Sequence, residues 1–233
     1  MGTRERFAVV IPVYNHGQTV AEVVRETLKL GMPVFVVDDG STDSTAALLD
    51  GIPGIHVLRH PINSGKGAAI MTGLAAAAKS ADWAITLDAD GQHDPRDAAA
   101  MIQAIPMNQR PIVVGMRQWM RQANAPWTSR FGRDFSNFWV WVSGGSRISD
   151  SQSGFRIYPV PECLDLGVKA QRFQYEVEVL VLAHRHGIPV IEAPVHVKYE
   201  TGTKKISHFH PFVDFWRNFG TFSRLIWQRI IRT

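Results

Sequence analysis

The first half of the chain alternates between two hydrophobic periods. Phe7 to Val13 is a short apolar run, the mark of a strand buried on both faces. Val20, Val23, Val24 and Leu28 then recur at helical spacing across Val20–Leu30, and Gly31 and Pro33 stop that helix. The alternation continues with strands at Val34–Val37, Ile55–Leu58, Trp83–Leu87 and Ile112–Gly115. Helices are predicted at Ser44–Leu49 and, alanine-rich, at Gly67–Ala78. Asp94-Pro95 has the form of an N-cap followed by proline at the first helical position. Such a series predicts an α/β fold: a mostly parallel central sheet with helices on both faces.

The second half is less regular. Arg117 to Ser149 interleaves Arg117, Arg121, Arg130 and Arg133 with tryptophans and phenylalanines, and a helix is predicted over Ser129–Val142. Ser153–Tyr158 reads as a strand, Tyr175–His186 as a helix and Val190–Tyr199 as one or two strands. Thr201–Ser207 reads as a basic loop and Pro211–Ile231 as a final helix. In that helix Phe212, Phe215, Trp216, Phe219, Phe222, Leu225, Ile226, Ile230 and Ile231 recur every three or four residues, accompanied by Arg217, Arg224 and Arg229. One face is therefore apolar, suited either to packing on the sheet or to lying in a membrane interface.

Composition narrows the partners. The chain has 233 residues, 45% hydrophobic and 20% charged, enough to bury a sizeable core. Its formal charge of +4 admits an anionic ligand or lipid surface, and nucleic acid is not an expected partner. The single cysteine rules out an intrachain disulfide and any multi-cysteine zinc site, which suits a reducing compartment. No secretory signal and no spanning apolar stretch are read, so the expected location is cytoplasmic.

Ligands in an open α/β sheet bind at the carboxyl ends of the strands, and there the acidic residues gather. Asp88-Ala-Asp90 follows the Trp83–Leu87 strand, and Gln92 adds a neutral oxygen two residues on. Two carboxylates one residue apart on a turn can face one cavity and hold a hard cation, Mg²⁺ or Mn²⁺, shared with phosphate oxygens. Asp38-Asp39 follows the second strand, where acidic residues bond a ribose or a base edge, or simply build a turn in which Ser41 or Thr42 caps the next helix. Asn63-Ser64-Gly65-Lys66-Gly67 opens a helix whose N-terminus favours anions. It is not a Walker A loop, since His60 stands where the first glycine belongs.

Taken together, five segments resemble family 2 glycosyltransferases of the GT-A fold. They are Ile11-Pro-Val-Tyr-Asn15, Val37-Asp-Asp-Gly-Ser41, Asn63–Gly67, Leu87-Asp-Ala-Asp-Gly-Gln-His93 and Asp150-Ser-Gln-Ser-Gly-Phe-Arg156, in the family's order. The nearest likeness is to dolichyl- and polyprenyl-phosphate mannosyl- and glucosyltransferases. The resemblance implies an inverting, metal-dependent transfer of a hexose from a nucleotide-diphosphate sugar (UDP-glucose or GDP-mannose type) to a lipid-linked acceptor. It places Pro12, Tyr14 and Asn15 at the base, Asp39 at the base or ribose, and Lys66 with the donor. Asp88 would lie beside the ribose or metal, and Asp90 and Gln92 would ligate the metal. Arg117 and Arg130 would meet an acceptor phosphate, and Lys204 or Lys205 would close over the diphosphate. If the acceptor is instead a hydroxyl of a lipid or pigment, Asp150 is the candidate base. The GT-A domain is expected over residues 1–209 and an amphipathic helix over 210–233, with the protein peripheral on the cytoplasmic face of a membrane. The rival readings are a sugar nucleotidyltransferase, a sugar-nucleotide sensor and a membrane-surface scaffold.

Overall fold

A computed structural model describes residues 5–117, 127–197 and 211–231, with side chains described outside 127–132 and 211–219. The strands are β1 (Phe7–Val13), β2 (Val34–Asp38), β3 (Ile55–Arg59), β4 (Trp83–Thr86), β5 (Ile112–Arg117), β6 (Arg156–Pro159) and β7 (Val190–Val195). The helices are α1 (Val20–Leu28), α2 (Thr45–Asp50), α3 (Lys66–Ala77), α4 (Ala98–Gln103), α5 (Trp127–Val142), α6 (Tyr175–Arg185) and α7 (Pro211–Ile231).

All seven strands form one sheet in the order β3-β2-β1-β4-β6-β5-β7. Every pairing is parallel except those of β6, which runs antiparallel between β4 and β5. The unbroken apolar run of β1 is explained by its two faces. Ala8 and Val10 point into a core shared with α3 and α6, while Val9 and Ile11 point into a second core shared with α1, α2 and α4. The register Val9↔Val34 through Val13↔Asp38 brings the ends of β1 and β2 level, so the loops after both open at the same edge.

Several element boundaries differ from the sequence reading. The first helix ends at Leu28 rather than Leu30, and the strand expected from Ser153 begins at Arg156. The Ser153 carbonyl accepts from Arg156 Nε. Neither Ser41 nor Thr42 caps α2; Ser44 is its N-cap residue without a side-chain bond, and the Asp43 carboxylate accepts from Thr45 N instead. Asp94 does cap, accepting from Arg96 N, and the turn it starts is a short 3-10 helix, Pro95–Asp97.

The terminal helix α7 is seated on the protein. Phe222 and Leu225 are buried in the same core as α6, each worth about 1.5–3 kcal/mol relative to exposure. Arg224 Nη2 reaches the buried Glu178 carboxylate at 2.8 Å, and Arg185 donates to the Leu225 carbonyl at 2.6 Å. Among the described residues no helix is long and apolar enough to cross a membrane.

Candidate active site

The loops after β1, β2 and β4 converge at the carboxyl edge of the sheet. Asn15, with φ of 54°, turns back so that its side-chain oxygen accepts from Thr42 N at 2.8 Å while its own N–H donates to Ser41 Oγ at 2.9 Å. It therefore splices the loop after β1 to the loop after β2. Pro12 is buried within β1 opposite Val37, and Tyr14 lies half-buried at the rim.

Asp39 is almost wholly buried and its carboxylate holds the next loop. Oδ1 accepts from Ser64 N at 2.9 Å and meets His60 Nδ1 at 2.6 Å, and Oδ2 accepts from Gly65 N at 2.7 Å. His60 in turn reaches Thr72 Oγ1 on α3. A carboxylate offers about four acceptor positions, so three are used within the protein. Gly40 is required beside it, because a Cβ there would sit 2.6 Å from the Ile62 carbonyl carbon at a φ of +73°.

Asp39 thus fixes the start of α3, and α3 delivers Lys66. The Lys66 ammonium bridges Asp88 Oδ1 at 2.8 Å and Glu176 Oε1 at 2.6 Å. Burial alone would lower the lysine, but the Asp88 and Glu176 carboxylates outweigh it and hold the ammonium above the usual lysine range. Burial would likewise raise Asp88; the Lys66 charge and hydrogen bond reverse that and keep it ionised. The contact is possible only because residue 154 is glycine, since a Cβ there would lie 2.4 Å from Asp88 Oδ2 and 2.7 Å from Lys66 Nζ. The fully buried Arg156 sets this wall by donating to the carbonyls of Ser151, Ser153 and Glu176.

Asp90 behaves oppositely to Asp88. Burial, and then the Asp88 charge, push its carboxyl above the ordinary range. Its Oδ1 accepts from Gln92 N at 3.0 Å. Among the described residues Oδ2 of Asp88 and Oδ2 of Asp90 make no hydrogen bond, and no three acidic, histidine or cysteine side chains cluster as a complete metal cage. The donor set suits a hard cation that completes its shell with ligand oxygens: two carboxylates, the Gln92 amide and an anionic ligand. A cation there would also relieve the mutual repulsion that raises Asp90. Beside it His93 is buried, lies edge-on to Phe155 at 5.3 Å, and has no partner for Nδ1 among the described residues. Burial outweighs the attraction of Asp88 and Asp90 and holds its pKa below the ordinary histidine value.

Arg117 ends β5 on the same edge, close enough for its charge to act on both Asp88 and His93. Its Nε and Nη2 grip the two oxygens of Asp150 at 2.7 Å each. Asp150 is buried, and Glu192 on β7 fastens its loop by accepting from Ser149 N, Ser149 Oγ and Asp150 N. Asn137 on α5 bonds Ser149 and Ser151, so α5 packs over this loop. The Arg130 side chain, and Lys204 and Lys205 entirely, lie outside the described residues.

Among the predicted positions Lys66 bonds Asp88, Arg117 bonds Asp150 and Asp90 accepts from Gln92 N, while Asp39 holds the start of the helix that carries Lys66. Sequence reasoning missed Glu176, His60 and Arg156. A signal for Glu176 was present in Tyr175-Glu-Val-Glu-Val-Leu-Val-Leu182, where two acids interrupt an otherwise apolar helix. Both are buried, and buried acids are paired.

Comparison with known proteins agrees with this geometry. The Glycosyl transferase family 2 profile matches residues 8–159, from the second residue of β1 to the end of β6. A UDP-N-acetylglucosamine–dolichyl-phosphate N-acetylglucosaminyltransferase of Methanococcus voltae is 30% identical over 82% of this chain and 85% of its own length. A polyprenol monophosphomannose synthase of Mycolicibacterium smegmatis is 27% identical over 87% of this chain and 82% of its own. In fold, the chain superposes on glucosyl-3-phosphoglycerate synthase of Mycobacterium tuberculosis, solved with Mn²⁺, UDP and phosphoglyceric acid, with a TM-score of 0.73 at 18% identity, covering 95% of this chain and 78% of that one. The protein is a glycosyltransferase with the GT-A arrangement, and it belongs to glycosyl transferase family 2.

Proposed function

We infer that this enzyme moves a sugar from a nucleotide-diphosphate donor to a polyprenyl phosphate at a membrane surface. The observation that carries the choice of acceptor is the Arg117–Asp150 pair. Both Asp150 oxygens are committed to the guanidinium, which leaves the carboxylate poorly placed to take a proton from a hydroxyl. A phosphate acceptor is already anionic and needs no base. It does need a planar cation near the reacting centre, which Arg117 supplies when held by Asp150. The acceptors named for the Methanococcus and Mycolicibacterium relatives are of this class.

Asp88, Asp90 and Gln92 would hold a divalent cation. Bound there, it would neutralise charge on the leaving diphosphate. Lys66 stands at the same wall and adds a fixed positive charge. The acceptor phosphate oxygen forms a bond to the anomeric carbon from the face opposite the diphosphate. The carbon–diphosphate bond breaks with its electron pair leaving on the nucleotide, and the configuration inverts. Asp39 and Asn15 shape the nucleoside end chiefly by fixing loops, with one Asp39 acceptor position remaining for the ribose or base. A seat on the membrane fits the exposed apolar residues Phe138 and Trp141 of α5 and Trp227, Ile230 and Ile231 of α7.

The test is transfer of label from UDP-glucose, GDP-mannose and UDP-N-acetylglucosamine, each alone, to polyprenyl phosphate in detergent with Mg²⁺ or Mn²⁺. Label should enter a mild-acid-labile lipid with one of the three. Label in an acid-stable glycolipid, or none with any donor, overturns the reading.

A further inference from the structure

The transfer read from the sheet edge gives no task to His93, although the residue lies among the groups that carry it. His93 follows Gln92 in the loop after β4 and is only 7% exposed. Its ring lies edge-on to Phe155, itself wholly buried in the wall that also contains Gly154. Its backbone is bridged to Val197, just past the end of β7, so ring and main chain are held from two sides. The charges of Asp88, Asp90, Arg117 and Lys66 all act on it. It therefore neighbours both the carboxylates read as cation ligands and the guanidinium read as the acceptor contact.

The two ring nitrogens differ. Nδ1 is sealed from solvent and has no hydrogen-bond partner among the described residues. Nε2 makes no bond among the described residues either, but it is not sealed. A sealed N–H with nothing to accept it forfeits a hydrogen bond that water would have given, and a bare lone pair is the lesser loss. The neutral ring therefore carries its hydrogen on Nε2, and a protonated ring carries one there as well. In both states Nε2 presents a donor. Neither Asp88 nor Asp90 accepts it: Asp88 bonds Lys66, and Asp90 bonds the backbone of Gln92. The donor is left for an oxygen that arrives with a ligand.

Two phosphate groups come near this position. The leaving diphosphate is already served by the cation site and by Lys66. The acceptor phosphate has Arg117, whose Nε and Nη2 are engaged by Asp150. It therefore gains more from a second donor. An imidazole N–H on a non-attacking oxygen orients the phosphate and leaves the attacking oxygen its charge. We propose that His93 Nε2 donates a hydrogen bond to a non-attacking oxygen of the acceptor phosphate, which makes His93, with Arg117, a second acceptor-binding residue. The proposal rests on the phosphate-acceptor reading given above and deepens it.

Titration calorimetry with citronellyl phosphate and with citronellol, a short-chain acceptor and its alcohol, reads the contact without turnover when UDP or GDP and Mn²⁺ are present. The wild type should bind the phosphate more tightly than the alcohol. His93→Phe keeps a ring against Phe155 and removes the donor. It should weaken binding of the phosphate about 10–100-fold, the worth of a hydrogen bond to a charged group, and leave the alcohol unchanged. His93→Gln, whose amide nitrogen reaches the place of Nε2, should restore most of that affinity. His93→Asn, whose amide stops at the place of Nδ1, should not. Affinity for UDP and GDP with Mn²⁺ should be the same in all four proteins, and kcat/KM for polyprenyl phosphate should follow the phosphate affinities. An unchanged phosphate affinity in His93→Phe overturns the proposal. So does a failure of glutamine to restore it, which would mean lost packing, or weaker nucleoside diphosphate binding in His93→Phe, which would move the contact to the leaving group. If the wild type does not distinguish phosphate from alcohol, the acceptor reading falls and the proposal with it. If the wild type distinguishes them and His93→Phe does so equally, the proposal alone falls.

Discussion

The carboxyl edge of the sheet and the α5–α7 face handle charge in contrasting ways. At the sheet edge, Asp39, Lys66, Asp88, Glu176, Arg117 and Asp150 are largely buried, and each is fastened by bonds within ordinary hydrogen-bond range. On the α5–α7 face, Trp141, Trp227 and Ile230 stand exposed, Arg185 and Arg229 donate to backbone carbonyls, and Arg224 reaches Glu178. Chemistry at an anomeric carbon needs charges fixed to a fraction of an ångström, because reorganisation during the reaction is costly. Contact with a fluid bilayer needs only area and sign. One region should therefore be intolerant of conservative change and the other graded in its response.

The largest expected effect breaks the first region. Asp90→Asn should lower transfer about 10²–10³-fold, and a chelator should do the same to the wild type. Wild-type rates in either case would remove the cation from the reading. The same substitution should raise the melting temperature of the metal-free protein at neutral pH. Burial and Asp88 raise the Asp90 pKa in the fold, so the stability tied to its proton is present at low pH and is lost as pH rises through the folded value. Asparagine removes that loss, and the difference between variant and wild type should vanish in acid.

Next is the ammonium bridge. Lys66→Met leaves Asp88 and Glu176 facing each other without a cation, and should cost about 3 kcal/mol in denaturant unfolding. Glu176→Gln keeps the hydrogen bond and should cost less, about 1 kcal/mol. Equal losses would mean that the lysine's contribution is packing rather than charge.

Asp150→Asn sharpens the acceptor side. Losing the carboxylate that orients Arg117 should raise the KM for polyprenyl phosphate about tenfold, with the pH profile of kcat unmoved. Loss of the acidic limb of that profile, with a large fall in kcat, would instead identify Asp150 as a base. The smallest effect belongs to the exposed face. Trp227→Ser should alter stability by less than about 0.5 kcal/mol and change transfer in detergent little, while vesicle binding drops.

The strands and helices of the first half were legible because burial on two faces writes continuous apolar runs, and α1 writes a 3.6-residue period. The acidic turns were legible because carboxylates right after such runs fall at the ligand edge of the sheet. Long-range partners left weaker marks. Lys66 and Glu176 are 110 residues apart, and no local spacing pairs them. Asp150 read as a candidate base for a hydroxyl acceptor, and nothing in its local sequence pairs it with Arg117, 33 residues earlier, which holds both its oxygens. Asp39 read as a nucleoside contact, and most of its bonds turn out to serve the start of α3.

Local order along the chain thus carried the layered sheet, the placing of Asp88 and Asp90 at its edge and the amphipathic character of the last helix, since these depend on period and on neighbours a few residues away. Folding settled what each charged group is bonded to, that β6 enters the sheet antiparallel, and that α7 rests on α6 while presenting Trp227 outward. Those outcomes depend on which distant segments share a buried volume, and the low dielectric there requires that every charge find a partner.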